Sequence, residues 1–217
     1  MLDFYYTLKK FTALIFILLV GLSFGLFPGW ISSAETVRVT GVIDGDTIII
    51  ADGHRIRYLG IDTPEKVKDG PDEFLAREAY EFNRKLVLNK EVRLRYGSEQ
   101  RDNFGRVLAY VFLNNGVLVN GELVRQGLAR VLYHGPWMER FGELLQHQRE
   151  AIRDRKGIWV KALGESDDSY RGQIHTRRFH RPDCSLGEKI APKNLIIFRS
   201  KREAYWQGYS PCRTCKP

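Results

Sequence analysis

The stretch Val42–Glu65 reads VIDGDTIIIADGHRIRYLGIDTPE. Two apolar runs within it, Thr47–Ala51 and Arg55–Ile61, are separated by Asp52-Gly53, and these two residue types tolerate the positive φ that tight hairpin turns require. The stretch therefore predicts a β-hairpin. A further strand precedes it, because valine and isoleucine recur between Val37 and Ile43.

A helix is predicted after the hairpin, from Asp72 to Asn89. Apolar side chains recur there at spacings of three and four residues, which is the period of one helix face. Asp72 follows Pro71 and is a suitable N-terminal residue for the helix. The apolar face consists of Leu75, Ala79, Phe82 and Leu86.

Strands and helices continue beyond this helix. Val92–Tyr96 and Val107–Leu113 are predicted strands, and helices are predicted at about 120–126 and 136–155, the second closed by Gly157. Five strands and three helices in this order predict an α+β, mainly β fold, in which the helices pack on a small Greek-key barrel.

Three carboxylates of the opening stretch are candidates for chemistry. Asp46 and Asp62 each stand at a strand end, and two carboxylates that meet at one point can bind a hard cation such as Ca²⁺. Glu65 follows Thr63-Pro64 and could face the same point, where it would orient or deprotonate a water molecule. The alternative is that an aspartate in DGD is a turn residue bonded to its own backbone. Asp44 is assigned to this alternative.

Arg57 and Arg106 are candidates for binding phosphate. Arg57 alternates with the apolar Ile56 and Tyr58 along its strand, and Arg106 follows a glycine turn into the next strand. Two guanidinium groups that converge on a phosphate stabilise the charge that builds there when phosphorus is attacked. Taken alone, an arginine that alternates along a strand is most often part of a solvated face.

Four segments occur in a fixed order between about residues 37 and 159: VIDGDT, IRYLGIDTPE, DNFGRVLAYVF and LVRQGLARV. They resemble the thermonuclease family, the staphylococcal nuclease-like Ca²⁺-dependent nucleases. The resemblance implies a five-stranded OB-fold barrel with three helices, and hydrolysis of DNA and/or RNA that leaves 3′-phosphate ends. The alternative is a non-catalytic nucleic-acid-binding protein, but such relatives are expected to lose the acidic and arginine positions that this chain keeps.

The resemblance also assigns roles to individual residues. Tyr133 matches a family aromatic that can stack on a base, with packing at the barrel edge as the alternative. Phe104 stands where family members can carry a tyrosine whose hydroxyl helps to hold a terminal phosphate. The implied roles are Ca²⁺ binding for Asp46, Asp62 and the backbone carbonyl of Thr63, action on the attacking water for Glu65, and phosphate binding for Arg57 and Arg106.

A metal site is predicted near the C-terminus. Cys212 and Cys215 have the two-residue gap that lets two thiolates share one metal, and His180 stands four residues before Cys184. A Cys212–Cys215 disulfide is the alternative in an exported protein, but the histidine beside the odd cysteine favours structural Zn²⁺. The segments FHRPDCSL and NLIIFRSKREAYWQGYSPCRTCKP resemble the small metal-binding module at the start of the bacterial DNA-alkylation response protein.

The charge of the chain indicates its partner. Thirty-four lysines and arginines stand against 26 aspartates and glutamates, a net charge of +8. This balance favours a polyanion such as nucleic acid, and no obligate protein partner is indicated. Basic residues are dense in 173–217, with Tyr205, Trp206 and Tyr209 interleaved. This segment is predicted to add non-specific affinity for nucleic acid, the alternative being a solvated surface.

Residues 1–34 differ in composition from the rest. Lys9-Lys10 precede an uncharged run from Phe11 to Trp30, and Ser32-Ser33-Ala34 follow, which is the order of a secretory signal. An uncleaved anchor, which would make the membrane a partner, is the alternative. The chain is therefore predicted to be exported. Its predicted parts are a signal peptide or membrane anchor (1–34), a nuclease-like domain (35–161), a linker (162–172) and a small metal-binding module (173–217).

Overall fold

A computed structural model of the chain describes residues 35–67, 69–102, 104–164 and 169–217. The predicted signal peptide or anchor at 1–34 and residues 165–168 of the predicted linker lie outside this part. Within the described residues, no helix combines the length and the apolar character that crossing a membrane requires.

Five strands close into a barrel, as predicted. The strands of this region are β1 (Glu35–Val42), β2 (Thr47–Ile50), β3 (Arg55–Tyr58), β4 (Ile61–Asp62), β5 (Glu91–Arg101), β6 (Val107–Leu113) and β7 (Arg130–Val131). The order around the barrel is β1-β2-β3-β6-β5, with a parallel pairing between β3 and β6 and antiparallel pairings elsewhere. The two remaining strands, β4 and β7, pair separately.

The predicted hairpin joins β2 and β3. Gly53 has φ +86°, and its N–H donates to the Ile50 carbonyl at 2.8 Å, so the turn forms at the predicted residues. The second strand of this hairpin, β3, ends at Tyr58, three residues before the predicted end at Ile61. The Asn120 side-chain amide donates to the Leu59 carbonyl at 2.9 Å, and Gly60, at φ +83°, then turns the chain towards β4. The strand predicted from the sequence is thus two strands that pair with different partners.

Among the described residues between 35 and 164, the three predicted helices are present, together with one further short helix. They are α1 (Ala76–Val87), α2 (Val119–Arg125), α3 (Phe141–Arg153) and α4 (Trp159–Ala162). The prediction that Asp72 starts the first helix is wrong. Leu75 precedes the helix at φ +67°, and the Asp72 carboxylate instead accepts a hydrogen bond from the Val67 N–H at 3.0 Å.

Gly157 does not end α3, which is a second difference from the prediction. The helix ends at Arg153, and Arg155 reverses the chain at φ +50°. Gly157 instead lies against the backbone of Gly127, with no room for a Cβ atom, and the Ile158 N–H donates to the Gly127 carbonyl at 2.8 Å. This close backbone approach joins the end of α2 to the start of α4.

The C-terminal part forms a second sheet. The elements are β8 (Tyr170–Gln173), β9 (Arg178–His180), α5 (Ser185–Glu188), a 3₁₀ turn (Pro192–Asn194), β10 (Leu195–Phe198), α6 (Lys201–Trp206) and β11 (Ser210–Pro211). The strand order in the sheet is β10-β8-β9-β11, and β8 begins at Tyr170, within the segment predicted as linker. The name C-terminal module is used below for residues 170–217.

The C-terminal module shares a hydrophobic core with the end of the barrel domain. Ile152 and Trp159 pack in one cluster with Phe179, Phe198 and Tyr205. The rings of Trp159 and Tyr205 meet edge to face at a centroid distance of 4.9 Å. A piece of this size buries little apolar surface by itself, and this shared core supplies the missing burial.

Buried hydrogen bonds fix the C-terminal module on the barrel domain. The Gln148 side-chain oxygen accepts from the Val131 N–H at 2.7 Å, while its amide group donates to the Tyr205 carbonyl. The Ser210 hydroxyl donates to the Val131 carbonyl at 3.1 Å. Both backbone groups of Val131 are therefore satisfied by side chains, and through them β7 is tied to α6 and β11.

Candidate active site

The loop between β1 and β2 is pressed against the chain that follows β4. A Cβ atom on Gly45 would lie 2.8 Å from the Cβ atoms of both Thr63 and Ala79, so only glycine allows this approach. Asp44 is the turn residue that the sequence predicts, because its carboxylate accepts the Asp46 N–H at 3.0 Å. Burial raises the pKa of Asp44, although the charge of Arg57 opposes the shift.

Asp46, Asp62 and Thr63 meet at the point where this loop touches β4. The Asp46 Oδ2 atom accepts hydrogen bonds from the Thr63 N–H at 2.8 Å and from its hydroxyl at 2.9 Å. The guanidinium of Arg57 bridges the two carboxylates, with an ion pair to Asp46 Oδ1 and a hydrogen bond to Asp62 Oδ1 at 3.1 Å. All four residues are buried.

This donor set fits a hard cation. Two carboxylates are bonded to one guanidinium, and Thr63, whose N–H and hydroxyl are bonded to Asp46, offers a backbone carbonyl as a further oxygen donor. Oxygen donors of this kind are the ligands that Ca²⁺ prefers. In the structure the guanidinium of Arg57 is bonded to both the Asp46 and the Asp62 carboxylates and neutralises their charge. A bound cation would neutralise part of this carboxylate charge in place of Arg57.

Arg130 belongs to the same cluster and was not singled out from the sequence. Its Nε and Nη2 atoms donate to Asp62 Oδ2 at 3.0 and 2.9 Å, across the β4–β7 pair. Burial opposes the ionisation of Asp62, but the charges of Arg130 and Arg57 hold its pKa below the usual range. The one signal in the sequence is that Arg130 alternates with the apolar Ala129 and Val131.

Glu65 lies at the rim of the cluster and is exposed. Its backbone is fixed by Glu73, whose carboxylate accepts the Glu65 N–H at 3.1 Å and whose N–H donates to the Glu65 carbonyl at 3.0 Å. Partial burial and the negative charges of Asp44 and Asp62 raise the pKa of Glu65. A raised pKa makes the carboxylate a better proton acceptor, as a group that activates water requires.

Arg106 is oriented by a polar turn. Both carboxylate oxygens of Asp102 are engaged: one accepts the N–H groups of Phe104 and Arg106, and the other accepts Arg106 Nε at 2.7 Å. Gly105, at φ +74°, makes the turn possible. Phe104 is 78% exposed, and the Arg106 guanidinium lies 5.4 Å from the centre of its ring.

One cleft of about 800 Å³ brings most of the predicted residues together. Arg57, Asp62, Glu65 and Arg106 line it, and so does Arg130. Seven basic side chains face three acidic ones in this lining, which gives the cleft a strong preference for an anion. The basic residues are Arg55, Arg57, Arg106, Arg130, Arg178, Arg213 and Lys216, and the acidic ones are Asp62, Glu65 and Glu73.

Tyr133 lies outside the described lining of this cleft. Its ring meets Phe141 edge to face at 5.2 Å, and the guanidinium of Arg177 lies 5.1 Å from its centre. These contacts match the alternative role of packing at the barrel edge. The role of stacking on a base stays a prediction.

The four predicted metal ligands of the C-terminal module converge. The ligand atoms of His180, Cys184, Cys212 and Cys215 all lie within 4.8 Å of one another, and His180 Nδ1 is 3.4 Å from the Cys184 sulfur. All three cysteines are free thiols, which matches a metal site and not a disulfide. Four protein ligands leave no open position for chemistry, so the site is of the structural zinc type.

The pKa values of two of the thiols shift in opposite directions. Backbone N–H groups of Cys215 and Thr214 overcome the effect of burial and hold the pKa of Cys212 below its usual range. Burial and the neighbouring Cys184 and Cys212 raise the pKa of Cys215 to about 11. A divalent cation among these groups would stabilise all the thiolates at once.

Comparison with protein families separates the chain into two matches. Residues 55–161 match the model of the staphylococcal nuclease homologues. Residues 160–217 match the model of the metal binding domain of Ada. The boundary between the matches falls within α4, the helix that contributes Trp159 to the shared core.

Several named proteins are similar to this chain. The thermonuclease of Staphylococcus hyicus is 38% identical over 132 residues, which cover 59% of this chain and 78% of that protein. The thermonuclease of Staphylococcus intermedius is 41% identical over 132 residues, covering 58% and 77%. Endonuclease YncB of Bacillus subtilis is 35% identical over 146 residues, covering 64% and 68%.

Proposed function

Because this chain belongs to the family of staphylococcal nuclease homologues and is a phosphodiesterase of the thermonuclease type, we propose that it is a Ca²⁺-dependent nuclease. It hydrolyses DNA and/or RNA and leaves 3′-phosphate ends. The observation that carries the proposal is the convergence of Asp46, Asp62 and Arg57 beside the cleft that Glu65 and Arg106 also line. A protein that only binds nucleic acid has no need of this combination.

The roles of the side chains follow from their positions. Asp46, Asp62 and the Thr63 carbonyl would hold Ca²⁺, which when bound polarises a phosphate oxygen and favours formation of hydroxide. Glu65, exposed at the rim and with a raised pKa, accepts a proton from the attacking water.

The arginines bind the phosphate under attack. Arg57 is paired with both carboxylates and lines the cleft, and Arg106 is already oriented by Asp102. Their charges stabilise the additional negative charge on the equatorial oxygens of the transition state. Arg130 keeps Asp62 ionised and in place, because it stays bonded to the other carboxylate oxygen.

We expect cleavage in Ca²⁺ and loss of cleavage when Ca²⁺ is chelated. The experiment incubates purified protein with single- and double-stranded DNA and RNA, with Ca²⁺ or with excess chelator, and maps the product ends. Products that accept a 5′-phosphate from a kinase but resist extension until a phosphatase acts would show 3′-phosphate ends. Cleavage that is unchanged by chelation would contradict the role given to Asp46 and Asp62.

The proposal extends to location. The order of charged, apolar and small residues in 1–34 supports export, with either cleavage near Ala34 or retention as an anchor. We expect N-terminal sequencing of the protein from its own host to start near Glu35, or the intact chain to be in the membrane fraction. An intact chain beginning at Met1 in the soluble cytoplasmic fraction would exclude export.

A further inference from the structure

The C-terminal module forms part of the wall of the cleft. Arg178, Pro211, Cys212, Arg213 and Lys216 line it together with the predicted catalytic residues of the barrel. Two of these lining residues, Arg213 and Lys216, follow directly after the metal ligands Cys212 and Cys215. The turn that carries the metal site therefore also faces the site of nucleic-acid hydrolysis.

A short path of hydrogen bonds holds this turn at the cleft. Ser210 and Pro211 form β11, and the Ser210 hydroxyl is bonded to the carbonyl of Val131 in β7. The strand β7 pairs with β4, which carries Asp62. The chain then enters the turn at Cys212 only two residues beyond this anchor, so Arg213 cannot lie far from the carboxylate cluster.

The turn itself is well fixed. The Thr214 N–H donates to the Cys212 sulfur at 3.4 Å, and the Lys216 N–H donates to the Cys212 carbonyl at 3.0 Å. Arg181 donates to the Lys216 carbonyl at 3.1 Å and so holds the end of the turn. These bonds fix the backbone of the turn. The side chains of Arg213 and Lys216 remain exposed to solvent.

In the described part of the chain, neither Arg213 nor Lys216 forms a salt bridge, whereas Arg57 and Arg130 are both bonded to Asp62. Arg178 differs, because its guanidinium donates to the Pro211 carbonyl at 3.0 Å and has a structural role.

We propose that Arg213 and Lys216 bind phosphate groups of the nucleic-acid strand next to the phosphate that is attacked, on a turn held in place by the zinc site. The inference rests on the proposed nuclease function and names residues that extend its binding site. The sequence predicts only non-specific affinity for nucleic acid from the basic residues of 173–217. The inference assigns phosphate contacts to two of these side chains, both of which line the cleft.

The test measures binding of a short single-stranded oligodeoxynucleotide by fluorescence anisotropy over a series of salt concentrations. All proteins carry Glu65→Gln to prevent turnover. One variant adds Arg213→Gln and Lys216→Gln, and the matched control adds Lys189→Gln and Arg202→Gln, which remove the same charge from exposed positions of the same module outside the described cleft lining. The zinc content of each protein is measured to show that the module is intact.

Each lost phosphate contact should reduce the slope of log affinity against log salt by about 0.7 for a single strand, so the cleft pair should reduce it by about 1.4. The control pair should leave the slope unchanged. An unchanged slope in the cleft pair, or equal reductions in both pairs, would overturn the inference. Failure of the wild type to cleave any substrate in Ca²⁺ would count against the nuclease proposal alone, since binding slopes do not depend on turnover.

Discussion

A Glu65→Gln variant should turn over nucleic acid about 10²–10⁴-fold more slowly than the wild type, which is the usual contribution of a positioned general base. The amide cannot accept the proton of the attacking water. Substrate binding should persist, because the basic residues of the cleft remain. Initial rates at saturating substrate, together with the dissociation constant of a single-stranded oligonucleotide, measure the two effects separately.

The control for this result is Glu78→Gln. Glu78 is an exposed carboxylate in the first turn of α1, outside the described cleft lining, and the substitution removes the same charge. Its turnover should match that of the wild type. Near wild-type turnover in Glu65→Gln would remove Glu65 from the mechanism, whereas an equal loss in both variants would point to net charge.

A Trp159→Ala variant should lose about 3–5 kcal/mol of unfolding free energy, the range typical of emptying a buried aromatic site. Trp159 is 1% exposed and packs against Tyr205 in the core shared by the barrel domain and the C-terminal module. Its loss leaves a cavity where these two parts meet. Urea unfolding of the zinc-loaded full chain, followed by far-ultraviolet circular dichroism, provides the measurement.

Trp206→Ala is the matched control. Trp206 is 39% exposed, and its ring lies 5.7 Å from the guanidinium of Arg149. Removing it should cost about 1 kcal/mol or less, in line with an exposed cation–π contact. Similar losses in the two tryptophan variants would contradict the assignment of Trp159 to a shared core. Deleting residues 173–217 would be a poor test of nucleic-acid binding, because the deletion would expose Trp159 of the shared core.

Local chemistry explains why the hairpin and the barrel were predictable. Asp52-Gly53 forms its turn with the φ value that glycine permits, and the β-branched and aromatic residues on either side of it form β2 and β3. The helix ends were less predictable. Gly157 satisfies the local rule for a helix terminus, but its position is decided by contact with Gly127, which lies 30 residues earlier in the sequence.

The candidate active site likewise has a part that was predictable from the sequence and a part that was not. The opening stretch made Asp46, Asp62 and Glu65 candidates, and the resemblance to the thermonuclease family gave them their expected roles. The structure brings the first two onto one guanidinium with Glu65 at the rim. Arg130 was missed because its partner Asp62 is 68 residues away and reaches it only through the pairing of β4 with β7. No periodicity in the sequence encodes such a pairing.

By itself, the sequence of this protein, together with the motifs that resemble the thermonuclease family and the small metal-binding module, determined the barrel, the candidate catalytic residues and zinc ligands, and the presence of a separate basic module. These properties depend on residue type and on short spacings, which act through backbone conformation and ligand chemistry close along the chain. Only the tertiary structure decided that Arg130 holds Asp62 and that the zinc-bearing turn brings Arg213 and Lys216 to the cleft. Both depend on how buried surfaces such as Trp159 and Tyr205 fit together, and that fit is a property of packing between distant segments.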